Sequence, residues 1–166
     1  MSRVRSFLKY WLPALVWMCV IYGASGDQAS NVHSSRLIGP VVRWLFPSLS
    51  EPAVDQVVFI VRKLAHVTEY AILAMLLWRA LRRPVRDEAR PWRWRDAVWA
   101  VGLAALYAGS DELHQMFVPN RQGRLHDVLI DTAGAAMGLL LIRFCYGWRA
   151  RRPIARHISE PLPLER

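Results

Sequence analysis

Long apolar runs alternate with arginine-rich polar stretches along the chain. The four apolar runs are Phe7 to Ala24, Leu64 to Leu81, Ala97 to Gly109, and Val128 to Tyr146. A membrane-spanning helix needs about 20 mostly apolar residues. The third run has only thirteen residues, so it must extend into the polar segment 110–115, or the bilayer must be locally thin. The pattern therefore predicts an all-α membrane protein with a bundle of four transmembrane helices.

The stretch between the first two runs, residues 25–63, carries two further helical signals. The segment from Leu37 to Phe46 has one apolar face, which is typical of a short amphipathic helix lying in the membrane interface. Ser50, Glu51 and Pro52 resemble a helix start, with a serine cap followed by glutamate and proline in the first turn. We expect one helix from about Glu51 to Arg82, and one or two short interfacial helices before it.

The distribution of positive charge predicts the orientation of the bundle. The 166-residue chain has a net charge of +9, and sixteen of its 22 Lys and Arg residues lie in the N-terminal tail, in the segment 79–95, or from Arg143 onward. Positive residues concentrate on the cytoplasmic side of membrane proteins. Both termini should therefore be cytoplasmic, while residues 25–63 and 110–127 should face outward. Because the basic residues flank apolar runs, and no nucleic-acid-binding motif is present, we expect no nucleic-acid partner.

The two ends of the chain carry signals of their own. The basic start followed by an apolar run resembles a signal peptide, but its aromatic residues and Pro13 favour a retained anchor over a cleaved segment. Residues 1–152 should form one transmembrane domain, and residues 153–166, with three prolines, a poorly ordered cytoplasmic tail. Cys19 and Cys145 should lie near opposite membrane faces as reduced thiols.

Ionisable side chains gather at the outward ends of the predicted spans. They come from three segments: Arg62, Lys63, His66, Glu69 and Tyr70; Asp111, Glu112, His114 and Gln115; and Asp127 and Asp131. An ionised side chain in hydrocarbon costs at least about 2.5–3.5 kcal/mol, so these groups should be paired, hydrated or protonated. The pattern predicts a polar, water-accessible pocket. Such a pocket could bind an anionic headgroup through Arg and Lys, or transfer protons through His and Glu.

Two other interpretations of this set stay open from the residues alone. One is a structural network of hydrogen bonds and ion pairs that ties the bundle together. The other is a metal site, because His66 with Glu69 and Asp111 with His114 are carboxylate–histidine pairs at i, i+3, as in di-metal bundles. The second Glu-x-x-His motif is missing, so we expect neither a metal nor another cofactor.

Gly134 and Gly138 form a small-residue pair on the last predicted span. A GxxxG pair allows a neighbouring helix to approach closely. Both glycines share a stripe with Asp127 and Asp131, which need cationic or hydrogen-bond-donating partners. We therefore expect the second and fourth spans to touch near their outward ends, with Arg62, Lys63 or His66 reaching one of these aspartates.

Three motifs in order resemble the VanZ-like family. They are RKLAHVTEYAIL from Arg62, SDELHQMFVPNR from Ser110 and DVLIDTAGAAMG from Asp127, preceded by Tyr22-Gly-Ala-Ser25 after the first span. The resemblance covers roughly residues 10–142. Two positions depart from the family pattern: Asp131 stands where many members have Asn, and Ser25 is single where a serine pair is common.

The resemblance implies a role in the bacterial cell envelope, at the outer face of the cytoplasmic membrane, and a family link to teicoplanin resistance. It implies an enzyme acting on phosphate-containing lipid headgroups or lipid-linked cell-wall precursors; the alternative is a non-catalytic protein that binds such a lipid. The catalytic candidates are His66, Glu69, Asp111 and Glu112, with His66 or Glu69 as base and Asp111 or Glu112 as acid or orienting group. The substrate-binding candidates are Lys63, Tyr70, Gln115, Arg121, Asp127 and Asp131, with Lys63 and Arg121 on the phosphate.

Overall fold

The computed structural model describes residues 3–26, 30–82, 92–117 and 124–150. These residues form five α-helices: α1 Arg3–Gly26, α2 Ser30–Leu45, α3 Glu51–Arg82, α4 Trp94–Gln115 and α5 Leu125–Ala150. The described residues contain no β-strand, which confirms the all-α prediction. The expected tail at 153–166 and the candidate residue Arg121 lie outside the described residues.

The central helix α3 has the bounds expected from its sequence. It begins at Glu51 directly after Ser50, whose carbonyl accepts hydrogen bonds from the amides of Ala53 and Val54. It then continues for 32 residues through the second apolar run to Arg82. Because α3 packs against each of the other four helices, it is the scaffold on which the rest of the bundle is arranged.

The short third apolar run proves to be the middle of a longer helix. Helix α4 has 22 residues and extends beyond both ends of the run, including the polar segment from Ser110 to Gln115. At 1.5 Å per residue it is about 33 Å long, close to the hydrocarbon thickness of a bilayer. The predicted extension into 110–115 is confirmed, and it brings polar residues onto the same helix as the apolar run.

Many large apolar side chains lie on the outside of the bundle, and most of its fully buried side chains are small. Leu106 and Phe144 are 74% and 72% exposed, whereas seven alanines are fully buried. These buried alanines are Ala14, Ala74, Ala80, Ala100, Ala104, Ala108 and Ala135. Small residues at helix contacts and large apolar residues outside are typical of helices packed in a membrane. Two helices contain segments long and apolar enough to cross it, Phe7–Ser25 in α1 and Leu125–Trp148 in α5.

The glycine pair of α5 lies directly on the backbone of α3, as the sequence predicted. A Cβ atom added to Gly134 would lie 2.6 Å from the Val67 carbonyl oxygen, and one added to Gly138 would lie 2.8 Å from the Ala71 carbonyl oxygen. Real Cβ atoms do not approach backbone this closely, so only glycine fits at either position. The close contact of α3 with α5 brings the polar starts of both apolar segments together.

Helix α2 is the predicted amphipathic helix, although it begins earlier than Leu37. Its Val42 packs with Val54 and Val58 at the start of α3, while Leu37 and Trp44 point away from the protein. Arg43 forms two hydrogen bonds with Glu51, of 3.1 and 2.5 Å, which join α2 to the first turn of α3. Cys19 on α1 and Cys145 on α5 are exposed free thiols.

Candidate functional site

The carboxylates of α4 reach the bundle interior because they continue its buried alanine stripe. Ala97, Ala100, Ala104 and Ala108 recur at helical spacing on the face that packs against the other helices. Asp111, Glu112 and Gln115 follow on the same face and are likewise buried. Two carboxylates and an amide are therefore placed inside the protein by the same periodicity that builds its core.

The Asp111 carboxylate is held in place by two donors from different parts of the chain. Its Oδ2 atom accepts a hydrogen bond of 2.8 Å from the Ser25 hydroxyl at the end of α1, and one of 3.1 Å from Gln115 Nε2. Its Oδ1 atom is buried and has no hydrogen-bond partner among the described residues. Asp111 thus has a fixed orientation and one oxygen that no described group satisfies.

An ion pair joins α3 to α5 at the same end of the bundle. Lys63 Nζ donates to Asp127 Oδ1 at 2.6 Å, and the two side chains are 29% and 23% exposed. This contact confirms the expectation that a cation of the second span reaches an aspartate of the fourth. Nearby, Glu112 Oε2 accepts a hydrogen bond of 2.8 Å from the Arg124 backbone amide, which joins the end of α4 to the start of α5.

His66 and Glu69 form the partly exposed edge of the cluster. His66 Nδ1 lies 3.8 Å from Glu69 Oε2, and each side chain is 27% exposed. The Glu69 backbone carbonyl accepts a hydrogen bond of 2.9 Å from Trp17 Nε1, which anchors this turn of α3 to α1. An imidazole beside a carboxylate, reachable from outside, can accept and return a proton.

Tyr70 lies at the centre of the cluster. It is fully buried, its ring lies 6.3 Å from the ring of Tyr107, and its hydroxyl has no hydrogen-bond partner among the described residues. That hydroxyl lies within electrostatic range of Asp111, Asp131 and Glu112, and Glu69 lies within range of Asp111. Lys63 in turn lies within range of Glu112 and Asp131.

The three helices thus bring all but one of the predicted site residues to one end of the bundle. These residues are Lys63, His66, Glu69, Tyr70, Asp111, Glu112, Gln115, Asp127 and Asp131. Arg121 lies in the undescribed connection between α4 and α5. A model of the VanZ/LLP1 family matches residues 10–146, which include most of the described residues and every residue of this cluster. The chain belongs to the VanZ/LLP1 family.

Family membership confirms the resemblance seen in the sequence motifs. The VanZ/LLP1 match includes α3, α4, the end of α1 and the start of α5, which meet at the cluster. Together with the two apolar helices, it indicates a membrane protein. Comparison with curated proteins and with solved structures returned no match.

Three further residues of this VanZ/LLP1 protein belong to the site, although they were not among its catalytic or substrate-binding candidates: Tyr22, Ser25 and His114. Ser25 is the buried donor to Asp111, and Tyr22 hydrogen-bonds His114 Nε2 at 3.1 Å, with the two rings stacked 4.4 Å apart. The Tyr22-Gly-Ala-Ser25 motif after the first apolar run was the available signal. Its partners are 86 and 92 residues away, so no local pattern could identify them.

The described residues do not support the di-metal interpretation of the carboxylate–histidine pairs. His66 faces Glu69, whereas His114 contacts Tyr22. Within the described ranges, no group of three or more His, Cys, Asp or Glu side chains is arranged to hold a metal ion. Three carboxylates of the cluster instead have separate partners: Asp111 accepts hydrogen bonds from Ser25 and Gln115, Glu112 from the Arg124 amide, and Asp127 from Lys63.

Proposed function

We propose that this protein is a multi-pass protein of the bacterial cytoplasmic membrane, in which α1, α3, α4 and α5 span the bilayer. Helix α2 would lie in the outer interface, and both termini would be cytoplasmic. The segregation of arginines supports this orientation, because the end of α3, the start of α4 and the end of α5 lie opposite the carboxylate cluster and carry Arg79, Arg82, Arg95 and Arg143. The cluster would then open toward the outer face.

At that face we propose an enzymatic role on a phosphate-containing headgroup, carried by a membrane lipid or a lipid-linked cell-wall precursor. The observation that carries this proposal is the burial of Asp111, Glu112 and Asp131 at one end of an otherwise apolar bundle. Such groups cost free energy in a membrane and are kept where they serve a function. The family link to teicoplanin resistance agrees with a role in the cell envelope.

The contacts favour a division of roles within the proposed site. Glu69, beside His66 at the exposed edge, would accept the proton of an attacking water or hydroxyl group. Glu112 would return a proton to the leaving oxygen, and Asp111, fixed by Ser25 and Gln115, would orient the headgroup. Lys63, and Arg121 from the connection after α4, would hold the phosphate through charge-assisted hydrogen bonds.

A non-catalytic lipid-binding protein is the second candidate, and one contact favours it. The Ser25 hydroxyl donates a hydrogen bond to Asp111 and so fixes this carboxylate in place, as a binding site requires. The cluster would then hold a headgroup without transforming it. In a resistance setting, such binding would sequester a precursor or shield it from a drug.

The deciding experiment combines turnover and binding on one set of variants. Purified protein in vesicles is offered phospholipids and polyprenyl phosphates, and both retained lipid and released product are measured. Glu69→Gln keeps the size of the side chain but removes its basicity, so an enzyme should lose roughly 10²- to 10⁴-fold in turnover while still retaining lipid. Glu51→Gln, an exposed glutamate on the same helix, is the matched control.

Each result separates the two candidates. Turnover by the parent protein and by Glu51→Gln, with loss in Glu69→Gln, supports the enzyme. Retained lipid without turnover in any variant supports the binding protein instead. Neither retained lipid nor turnover across the panel would overturn both candidates.

A further inference from the structure

The proposed site has more carboxylates than its phosphate ligand would require. Glu69, Asp111, Glu112, Asp127 and Asp131 converge on it, and the Lys63 contact of 2.6 Å is made to Asp127. Hydrogen-bond acceptors of this kind favour a ligand that also carries a positively charged hydrogen-bond donor.

Buried polar atoms without partners mark where that positive charge would lie. The Tyr70 hydroxyl is fully buried within electrostatic range of Asp111, Asp131 and Glu112, and none of the described residues gives it a hydrogen bond. Asp111 Oδ1 is buried and unsatisfied in the same way. Buried polar groups in folded proteins are normally hydrogen-bonded, so two orphaned atoms beside one acidic cluster point to a missing partner.

We propose that Asp111, Glu112, Asp131 and the Tyr70 hydroxyl form a subsite for the ammonium group of an amine-bearing lipid headgroup. This inference rests on the proposed function, because it names the class of headgroup that the site accepts. A primary ammonium group has three hydrogen-bond donors, which suits several separate acceptors around it. No group of three or more His, Cys, Asp or Glu side chains among the described residues could hold a metal ion, whereas an ammonium group needs only hydrogen-bond acceptors.

The two halves of such a headgroup match two parts of the site. Lys63, still 29% exposed, lies where a phosphate could contact it, and the buried carboxylates lie on its inner side. The partly exposed His66 and Glu69 provide the edge from which a headgroup would enter. A zwitterionic headgroup with phosphate and primary amine is thus complementary to the site in charge. A choline headgroup cannot donate hydrogen bonds, and a glycerol headgroup has no positive charge.

The test compares headgroups in the same full-length protein. Nanodiscs of phosphatidylcholine are doped with either phosphatidylethanolamine or phosphatidylglycerol, and lipid retained by the purified protein is quantified by mass spectrometry. We expect phosphatidylethanolamine to be enriched about tenfold or more over both other lipids, since leaving buried acceptors unpaired discriminates strongly between ligands. Asp131→Asn and Tyr70→Phe should each reduce this enrichment, while Asp55→Asn, exposed on α3, should leave it unchanged.

The contrary outcomes are distinct. Equal retention of all three lipids would overturn the ammonium subsite and leave lipid binding intact, whereas retention of no lipid would overturn the proposed function as well. Thermal stabilisation by Na⁺, K⁺ or Mg²⁺ that is lost in Asp131→Asn would assign the subsite to an inorganic cation and overturn the proposal. If Asp131→Asn does not fold, Tyr70→Phe, which keeps the aromatic ring, decides the test by its effect on the enrichment.

Discussion

The two ends of the bundle accommodate charged side chains in different ways. At the carboxylate end, the acidic residues of α4 and α5 point inward and are fixed by hydrogen bonds, as in the contact of Asp111 with Ser25. At the opposite end, which we call the arginine–tryptophan end, cations lie over aromatic rings. Arg82 lies 4.7 Å from the centre of the Trp78 ring, and Arg143 lies 6.0 Å from the centre of the Trp92 ring.

The arginine–tryptophan end has the character of a membrane boundary. The rings of Trp78 and Trp92 are 5.1 Å apart, and Tyr146 meets Trp78 edge-on at 6.0 Å. Aromatic rings at the headgroup level, with long cationic side chains reaching toward water, are typical of membrane–water interfaces. Arg82 is buried, but its guanidinium stacks on the Trp78 ring, so charge at this end can be explained without a ligand.

The carboxylate end lacks that explanation, because its charges face the interior rather than the interface. Short side chains such as Asp111 and Asp131 cannot reach water from buried positions, and α5, which carries Asp131, approaches α3 closely at Gly134. A purely structural network would be expected to satisfy its own buried atoms. Both ends have buried polar atoms without a partner among the described residues, Trp78 Nε1 and Trp92 Nε1 at the arginine–tryptophan end and the Tyr70 hydroxyl and Asp111 Oδ1 here. Only here do they lie beside buried carboxylates, which is why the function is assigned to this end.

The largest expected effect comes from separating the helices that build the carboxylate end. Gly134→Leu would force side-chain atoms into the Val67 backbone, so we expect a loss of at least about 3 kcal/mol in the free energy of unfolding, or no folded protein. Gly102→Leu on α4 is the matched control, because a Cβ there meets nothing within 4 Å. Unfolding in mixed detergent micelles measures both. Equal stability of the two variants would contradict the close packing of α3 on α5.

Much of this arrangement follows from sequence periodicity. The start of α3 at Glu51, the packing of the α5 glycines and the reach of Lys63 to Asp127 were all predicted, because each depends on spacing within one helix or on simple charge pairing. The extent of α4 was predicted only at its C-terminal side. Its start at Trp94 lies before the apolar run, among polar residues that hydropathy does not assign to a span.

The remaining features depend on how distant segments meet. The Ser25 contact with Asp111 and the Tyr22 contact with His114 need α1 and α4 to be packed with a particular rotation, which no local pattern specifies. The central position of Tyr70 in the cluster was not predicted either, although Tyr70 was a substrate-binding candidate, because its sequence neighbours Glu69 and His66 gave no sign of it. Packing of α3 by every other helix turns that tyrosine fully inward.

An intermediate effect should distinguish the cations of the two ends. Lys63→Met leaves Asp127 partly buried without its partner, so we expect a loss of about 2 kcal/mol in the free energy of unfolding. Arg143→Met removes an exposed cation lying over Trp92, which should cost less than about 1 kcal/mol. The same detergent titration measures both variants. An Arg143→Met loss as large as that of Lys63→Met would remove the distinction drawn between the two ends.

The smallest effect is expected at the ion pair of Arg43 with Glu51, which lies outside both ends and is exposed to solvent. The hydrogen bond and the charge of the Arg43 guanidinium lower the pKa of the Glu51 carboxyl. A lowered pKa in the folded state means that the pair stabilises the protein at neutral pH. This contribution is lost as the pH falls through the lowered value, below the ordinary glutamate range. Salt should weaken it as well, because exposed charges are screened.

The unfolding midpoints of the parent protein and Glu51→Gln should therefore differ slightly at neutral pH and low salt. They should converge in high salt or in acid. Gln56→Ala, at an exposed position just over one turn along α3, should show neither dependence. A Glu51→Gln effect as large as that of Lys63→Met would mean that α2 is held by charge rather than by the packing of Val42 on Val54 and Val58. An effect that salt leaves unchanged would mean that it does not come from an exposed ion pair. The sharp difference between buried and exposed charges in this protein would then no longer hold.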